Sequence, residues 1–219
     1  MPSFGNALGH PVERIPILGM GINAWIPFTE KATSPAHQKG WKYMRLFIAA
    51  ELPTEMREAL AETSALLRER VRGRFVAPDS FHVTIAFLGD VDPWRIDDIC
   101  DAIDEGCEGI PVARAAFGGL GSFGRRAAAT LWQGFSDTGR LPELAKGIRR
   151  ALHARSFEFD EKKFLAHVTL MRAADLRSGT LPNPCTASGE IERVTLFHSD
   201  LSGSRPVYEP LHTAELTRY

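Results

Sequence analysis

Two segments of the chain repeat one polar pair inside apolar surroundings: Phe81-His82-Val83-Thr84-Ile85-Ala86-Phe87 and Ala166-His167-Val168-Thr169-Leu170-Met171. In an extended strand, residues i and i+2 share a face. Each histidine therefore projects with its threonine, while Val83 and Ile85, or Val168 and Leu170, turn to the opposite side. An imidazole, with an ordinary pKa of about 6.5, can transfer a proton near neutrality, and a neighbouring hydroxyl can donate to an anionic oxygen. The doubling suits in-line displacement at a phosphodiester. That reaction needs a base at the attacking oxygen and an acid at the leaving one, on opposite sides of phosphorus. Two imidazoles on facing elements can reach both; one cannot. The threonines and nearby cations would hold the equatorial oxygens, where charge must be stabilised. A single His-x-Thr is common, but two copies in matching apolar strands are hard to assign to chance.

Other signals compete less well. Metal sites of the zinc type usually need three or four His, Cys or carboxylate ligands, and no His-Glu-x-x-His or cysteine cluster is present, so neither metal nor cofactor is expected. Gly119-Leu120-Gly121-Ser122-Phe123-Gly124 fits G-x-G-x-x-G, with Glu143 about twenty residues on as a dinucleotide fingerprint requires. The following stretch, however, lacks the apolar stripe of a phosphate-binding helix, so these glycines read better as a flexible connector. Arg125-Arg126, Lys162-Lys163 and Arg172 are candidates for an electropositive cleft, with Lys162-Lys163 better read as solvated surface. Arg68, Arg70, Arg72 and Arg74 alternate at a predicted helix end, where cations favour the macrodipole. Phe47 and Trp132 are candidates for stacking a base, and equally for core positions.

The elements that must position the two histidines follow from periodicity. The run 45–50 suits a buried strand. A helix opens after Pro53 with Thr54 as N-cap, and Met56, Leu60, Thr63, Leu67 and Val71 share one face. Strands at 74–76 and 81–88 follow, then a helix from Asp92-Pro93 whose inner face carries Ile96, Ile99, Cys100, Ile103 and Cys107. Strands at 111–117 and 127–135 precede a third helix over 141–154, lined by Leu141, Leu144, Ile148 and Leu152. Segments 164–171, 189–198 and 206–216 complete the strands. Helices and strands mix without strict βαβ alternation, which predicts an α+β fold with antiparallel sheets. Strand-helix-strand ending in His-Val-Thr occurs twice, 85 residues apart. Two copies of one unit would face each other about a pseudo-twofold axis.

The chain's 219 residues are 44% hydrophobic and 24% charged, ample for a buried interior. With 26 Lys and Arg against 27 Asp and Glu, a generally basic nucleic-acid-coating protein is disfavoured, while a local basic groove is not. Cys100, Cys107 and Cys185 are an odd, scattered set, which predicts reduced thiols and a cytoplasmic location. No apolar run approaches the roughly eighteen residues of a membrane span. Residues 1–43 hold five prolines and five glycines with no sustained period, and are expected to be an extension with little fixed structure ahead of a domain at 44–219. An upstream start codon, with Met44 as the natural start, would account for them.

Met44-Arg45-Leu46-Phe47-Ile48-Ala49-Ala50-Glu51-Leu52-Pro53 resembles the opening of the RNA 2′,3′-cyclic phosphodiesterases, also called 2′-5′ RNA ligase-like proteins, of the two-histidine phosphoesterase superfamily. The stretches around His82 and around His167, through Arg172, resemble that family's two H-x-T-x segments. The resemblance implies a bilobal, pseudo-symmetric α+β fold of two antiparallel sheets with flanking helices and the active cleft between the lobes. It implies metal-independent hydrolysis of a terminal 2′,3′-cyclic phosphate to a 2′-phosphomonoester. His82 would give the proton to the leaving 3′ oxygen and His167 would activate water. Thr84 and Thr169 would bind phosphate oxygens with Arg172 as charge partner; Arg126, by its charge, and Phe47, by its ring, are the further candidate substrate contacts read from the residues themselves. Ala166 departs from the family, which usually has Pro there, but no catalytic group is lost. The partner implied is RNA with a cyclic-phosphate end, met by a monomer. Three other functions fit the same residues: 2′-5′ ligation in the same site, hydrolysis of a small cyclic nucleotide, and RNA-end binding without turnover.

Overall fold

Apolar side chains on one face and half-exposed polar ones on the other recur along the strands of this protein, so one sheet face is core and the other is left for chemistry. A computed structural model describes residues 43–218 apart from Ser178, Gly179 and Ser204. The predicted extension therefore lies outside the described residues, Tyr43 excepted. In chain order the elements are β1 (Met44–Glu51), α1 (Thr54–Arg68), β2 (Arg74–Phe75), β3 (His82–Val91), α2 (Ile96–Cys107), β4 (Ala113–Phe123), β5 (Ala129–Asp137), α3 (Leu141–Ala154), β6 (His167–Ala174), β7 (Ser188–Ile191), β8 (Arg193–Asp200) and β9 (Val207–Glu215). Single 3-10 turns at Pro78–Ser80 and Pro93–Arg95 lead into β3 and α2.

The strands pair antiparallel in the order β7-β4-β5-β6-β3-β1-β8-β9, with β2 added beside β6. Two four-stranded halves are visible in that order, β7-β4-β5-β6 and β3-β1-β8-β9. They meet through one register pair, Val83 opposite Val168. The predicted α+β class and duplicated organisation are seen: β1-α1-β3 and β5-α3-β6 are the two strand-helix-strand units, each delivering its His-Val-Thr to the central seam. The two sheets are joined there into one curled sheet. Beneath it lies a core that includes Leu46, Ile48, Val83, Ile85, Leu131, Val168, Leu170 and Met171, all fully buried. Nothing among the described residues forms a helix long and apolar enough to cross a membrane.

Some boundaries differ from the sequence reading. Pro53 takes the N-cap position of α1, and Thr54 is its first residue without a side-chain cap. Helix α1 stops at Arg68, so Arg74 belongs to a strand rather than to a basic helix end. The glycine-rich stretch is no connector: β4 runs on through it to Phe123. Gly118 lets the β5 backbone approach, since a Cβ there would sit 2.7 Å from the Ser136 nitrogen, and Gly121 lies under the Trp132 ring. The segment 189–198 breaks at Glu192 because the chain changes partners there, β7 pairing with β4 and β8 with β1.

Candidate active site

His82 and His167 stand on neighbouring antiparallel strands and face the same side. With Val83 opposite Val168, the register brings His82 beside Thr169 and Thr84 beside His167. The two histidines are then diagonal neighbours, whose Cβ atoms lie roughly 7–8 Å apart in such a ladder. That spacing leaves room for a phosphoryl group between the rings.

Each ring is held by its own strand. His82 donates from Nδ1–H to the Ser80 carbonyl at 2.8 Å, and His167 does the same to the Leu165 carbonyl at 2.8 Å. A carbonyl oxygen only accepts, so both bonds fix the proton on Nδ1 and leave Nε2 for chemistry. The Thr84 hydroxyl lies 3.1 Å from His82 Nε2 and donates to it when the ring is neutral. Burial pushes the His82 pKa down to about 4; the Ser80 bond opposes this, and the positive fields of Arg172 and His167 add to it. An unfolded His82 takes up a proton near 6.5 and the folded one only near 4, so protons favour the unfolded chain between those values. Stability is therefore expected to fall as pH drops from about 6.5 towards 4, and His82→Gln to lessen that fall. Thermal unfolding of both proteins across this range checks it; parallel curves would contradict it.

Matched bulges set the rest of the site. On β3, Ile48 opposes Ala86 while Ala49 opposes Thr84, making Ile85 an extra residue. On β6, Leu131 opposes Met171 while Trp132 opposes Thr169, making Leu170 the extra one. Strict alternation from His167 would turn Arg172 to the core face. The bulge returns it to the histidine face, where its charge reaches His82. The corresponding position after the first motif is Phe87, and there the cation comes from Arg45, whose guanidinium lies 4.6 Å over the Phe87 ring.

Aromatic rings wall both histidines. Phe47 lies tilted against His82 at 4.9 Å, and Tyr208 stands edge-on to both, 4.9 Å from Phe47 and 5.6 Å from His82. Phe47 is only 4% exposed, so it packs the His82 ring rather than offering a free stacking face. Around His167 stand Phe123, edge-on at 5.2 Å, and Trp132 at 5.9 Å. Phe123 is 43% exposed and is the better platform for a base. Neither Tyr208 nor Phe123 is evident from sequence. One reaches the site through β1-β8-β9 adjacency and the other sits in the glycine stretch, so no local signal marks them.

Not every candidate gathers here. Arg126 donates to the Leu176 carbonyl while its own carbonyl accepts from Leu176 N–H, tying the chain after β6 to the β4–β5 turn. Lys162 pairs with Asp160 at 3.1 Å on the surface. His153, His198 and His212 lie beside Glu161, Glu209 and Asp104, away from the seam. Burial, then Asp104, pushes the Cys107 thiol up to about 12, unsuited to a nucleophile. Among the described residues no three His, Cys, Asp or Glu side chains cluster as a metal site.

A strand-borne pair of His-x-Thr motifs converging at a seam defines a two-histidine phosphoesterase arrangement. The model of the family described as LigT like Phosphoesterase matches residues 51–132. The chain is 32% identical over 177 residues to the RNA 2′,3′-cyclic phosphodiesterase of Escherichia coli (strain K12), spanning 80% of this chain and 97% of that protein. It is 32% identical over 133 residues to the protein of the same name from Geobacillus stearothermophilus, spanning 60% of this chain and 42% of that protein. The crystal structure of E. coli LigT complexed with 3′-AMP superposes with a TM-score of 0.64 at 29% identity, covering 81% of this chain and 99% of that one. The chain belongs to the LigT-like phosphoesterase family.

Proposed function

We propose that this chain hydrolyses the 2′,3′-cyclic phosphate at RNA 3′ ends to a 2′-phosphomonoester, without a metal, by paired-histidine acid-base catalysis in a domain at 44–219. The observation that carries this is the mirrored bond from Nδ1–H to main-chain carbonyl, which turns both Nε2 atoms to one seam, that of His82 meeting only the Thr84 hydroxyl. The names of the relatives and the 3′-AMP complex of E. coli LigT support the substrate class.

The steps follow from the atoms present. His167 Nε2 takes a proton from water, whose oxygen attacks phosphorus opposite the 3′ oxygen. The bond from phosphorus to O3′ breaks as the charged His82 gives its Nε2 proton to O3′. The 2′-phosphomonoester leaves, and the two rings return to their starting states by exchange with solvent. In the free protein burial and the Arg172 field keep His82 neutral. A bound phosphoryl anion offsets that field and favours the charged ring, so His82 becomes an acid when substrate arrives. Thr84 then turns its hydroxyl from Nε2 to a phosphate oxygen, with Thr169 and Arg172 on the others.

A single copy of the chain supplies every group named, so a monomer suffices. The three free thiols fit a cytoplasmic location. Incubation of an oligonucleotide ending in a 2′,3′-cyclic phosphate with excess EDTA is expected to give a 2′-phosphate end. A 3′-phosphate end would exchange the roles of the two histidines, and dependence on added metal would remove the mechanism.

A further inference from the structure

The edge of β6 that meets β3 is shared. Val83 opposes Val168, and further along Phe75 opposes Met171 and Arg74 opposes Arg172. The Val76 N–H completes the run by donating to the Leu170 carbonyl at 2.9 Å. Strand β2 and the start of β3 are thus one interrupted edge, with the 3-10 turn at Pro78–Ser80 looping out between them. Strand β5 occupies the other edge of β6.

This register sets Arg74 directly across from Arg172, and directly opposed residues of an antiparallel pair share a face. The β6 bulge has already put Arg172 on the histidine face, so Arg74 is there too. Both are exposed. Like charges directly opposed destabilise a sheet, yet among the described residues neither guanidinium has a carboxylate within ion-pair distance. Other exposed arginines divide: Arg114, Arg177, Arg193 and Arg218 each hold a carboxylate, while Arg70, Arg125 and Arg150 form no ion pair among the described residues, so what sets Arg74 and Arg172 apart is that they oppose each other across the ladder. Two unneutralised guanidiniums side by side form a site that an anion completes, since each can bind a phosphate through two parallel N–H bonds.

The pair lies three β6 residues past Thr169, a strand distance of about 10 Å, shortened by the bulge. Arg172, whose charge reaches His82, borders the phosphorus held between the histidines, while Arg74 across the ladder lies beyond it but near enough for a second phosphate of the same ligand.

We propose that Arg74, with Arg172, binds the phosphodiester immediately 5′ of the nucleotide being hydrolysed. This rests on the reading of the histidine pair as the cyclic-phosphate site, and it makes the preferred substrate an oligonucleotide rather than a mononucleotide. Arg172 then spans both phosphates, whereas Arg74 meets only the second.

The test compares Arg74→Ala and Arg74→Gln with wild type on two substrates: an RNA oligonucleotide ending in a 2′,3′-cyclic phosphate and a mononucleoside 2′,3′-cyclic phosphate. Loss of one phosphate contact should lower the ratio of kcat/KM for oligonucleotide over mononucleotide by about tenfold. The slope of log affinity against log salt, read by fluorescence anisotropy on an oligonucleotide ending in a 2′-phosphate, should become shallower by about 0.7. A ratio and slope like those of wild type overturn the proposal, and so does an equal loss on both substrates. The binding arm separates the two ideas: weaker oligonucleotide binding by both variants, with no turnover by wild type, keeps the anion site and sinks the hydrolysis. Turnover with an unaltered ratio sinks only the anion site.

Discussion

His167→Ala is expected to lower kcat on a cyclic-phosphate oligonucleotide at least about a hundredfold, the scale on which a positioned proton-transfer group acts. The ring is half-exposed on the seam, with Phe123 and Trp132 about it, so its removal opens no core cavity and folding should survive. His82→Ala should cost as much by withholding the proton from the 3′ oxygen. The double variant should be far less than the product of the two, because each single loss already disables the shared step. Rapid-quench measurement of the chemical step, with thermal unfolding as the control for folding, reads these effects. Full activity in either single variant would remove the assigned roles.

Gly106→Ala is expected to destabilise the fold, although alanine is favoured over glycine inside a helix by roughly 1 kcal/mol. Helices α2 and α3 cross where Gly106 meets Ile148. A Cβ on Gly106 would lie 2.5 Å from Ile148 Cγ1 and 2.6 Å from the Ile148 Cα and nitrogen. A side-chain carbon can rotate aside, but the main chain of α3 cannot. Overpacking of this kind costs about 1–3 kcal/mol, occasionally more, and outweighs the helix gain. A net loss of up to about 2 kcal/mol would lower Tm by up to roughly 8 °C for a chain of this size. An unchanged or raised Tm would mean that the helices do not cross so closely. Since α3 also lies along β3, with Arg149 donating to the Ile85 carbonyl at 2.9 Å, larger residues at position 106 should begin to reduce turnover as well.

The two motifs were legible because each is local: three residues fix the face of a strand, and a helix such as α3 announces itself over 141–154 by period alone. The class and the duplication follow from the same periodicities. What surrounds the histidines was not legible, because it depends on which strands become neighbours. Tyr208 comes to His82 across β1 and β8, and nothing near it in sequence says so. The bulges at Ile85 and Leu170 are invisible in a run of apolar residues, yet they decide that Arg172 faces the seam. The glycines of β4 misled because glycine marks both mobile turns and close approaches, and here Gly121 makes room for Trp132. Arg126 looked free for substrate, but the chain returning after β6 engages it.

Many hydrolases steer a histidine with a carboxylate, which also steadies the charged ring. Here both rings lean on peptide oxygens two residues upstream, at Ser80 and Leu165. No side-chain substitution deletes such a support, so orientation should withstand drift at the neighbouring positions. A peptide oxygen also carries no full negative charge, so neither ring is tied to an anchored anion. With no carboxylate among the described residues wedged behind either ring, the anion nearest the pair is the one a ligand brings.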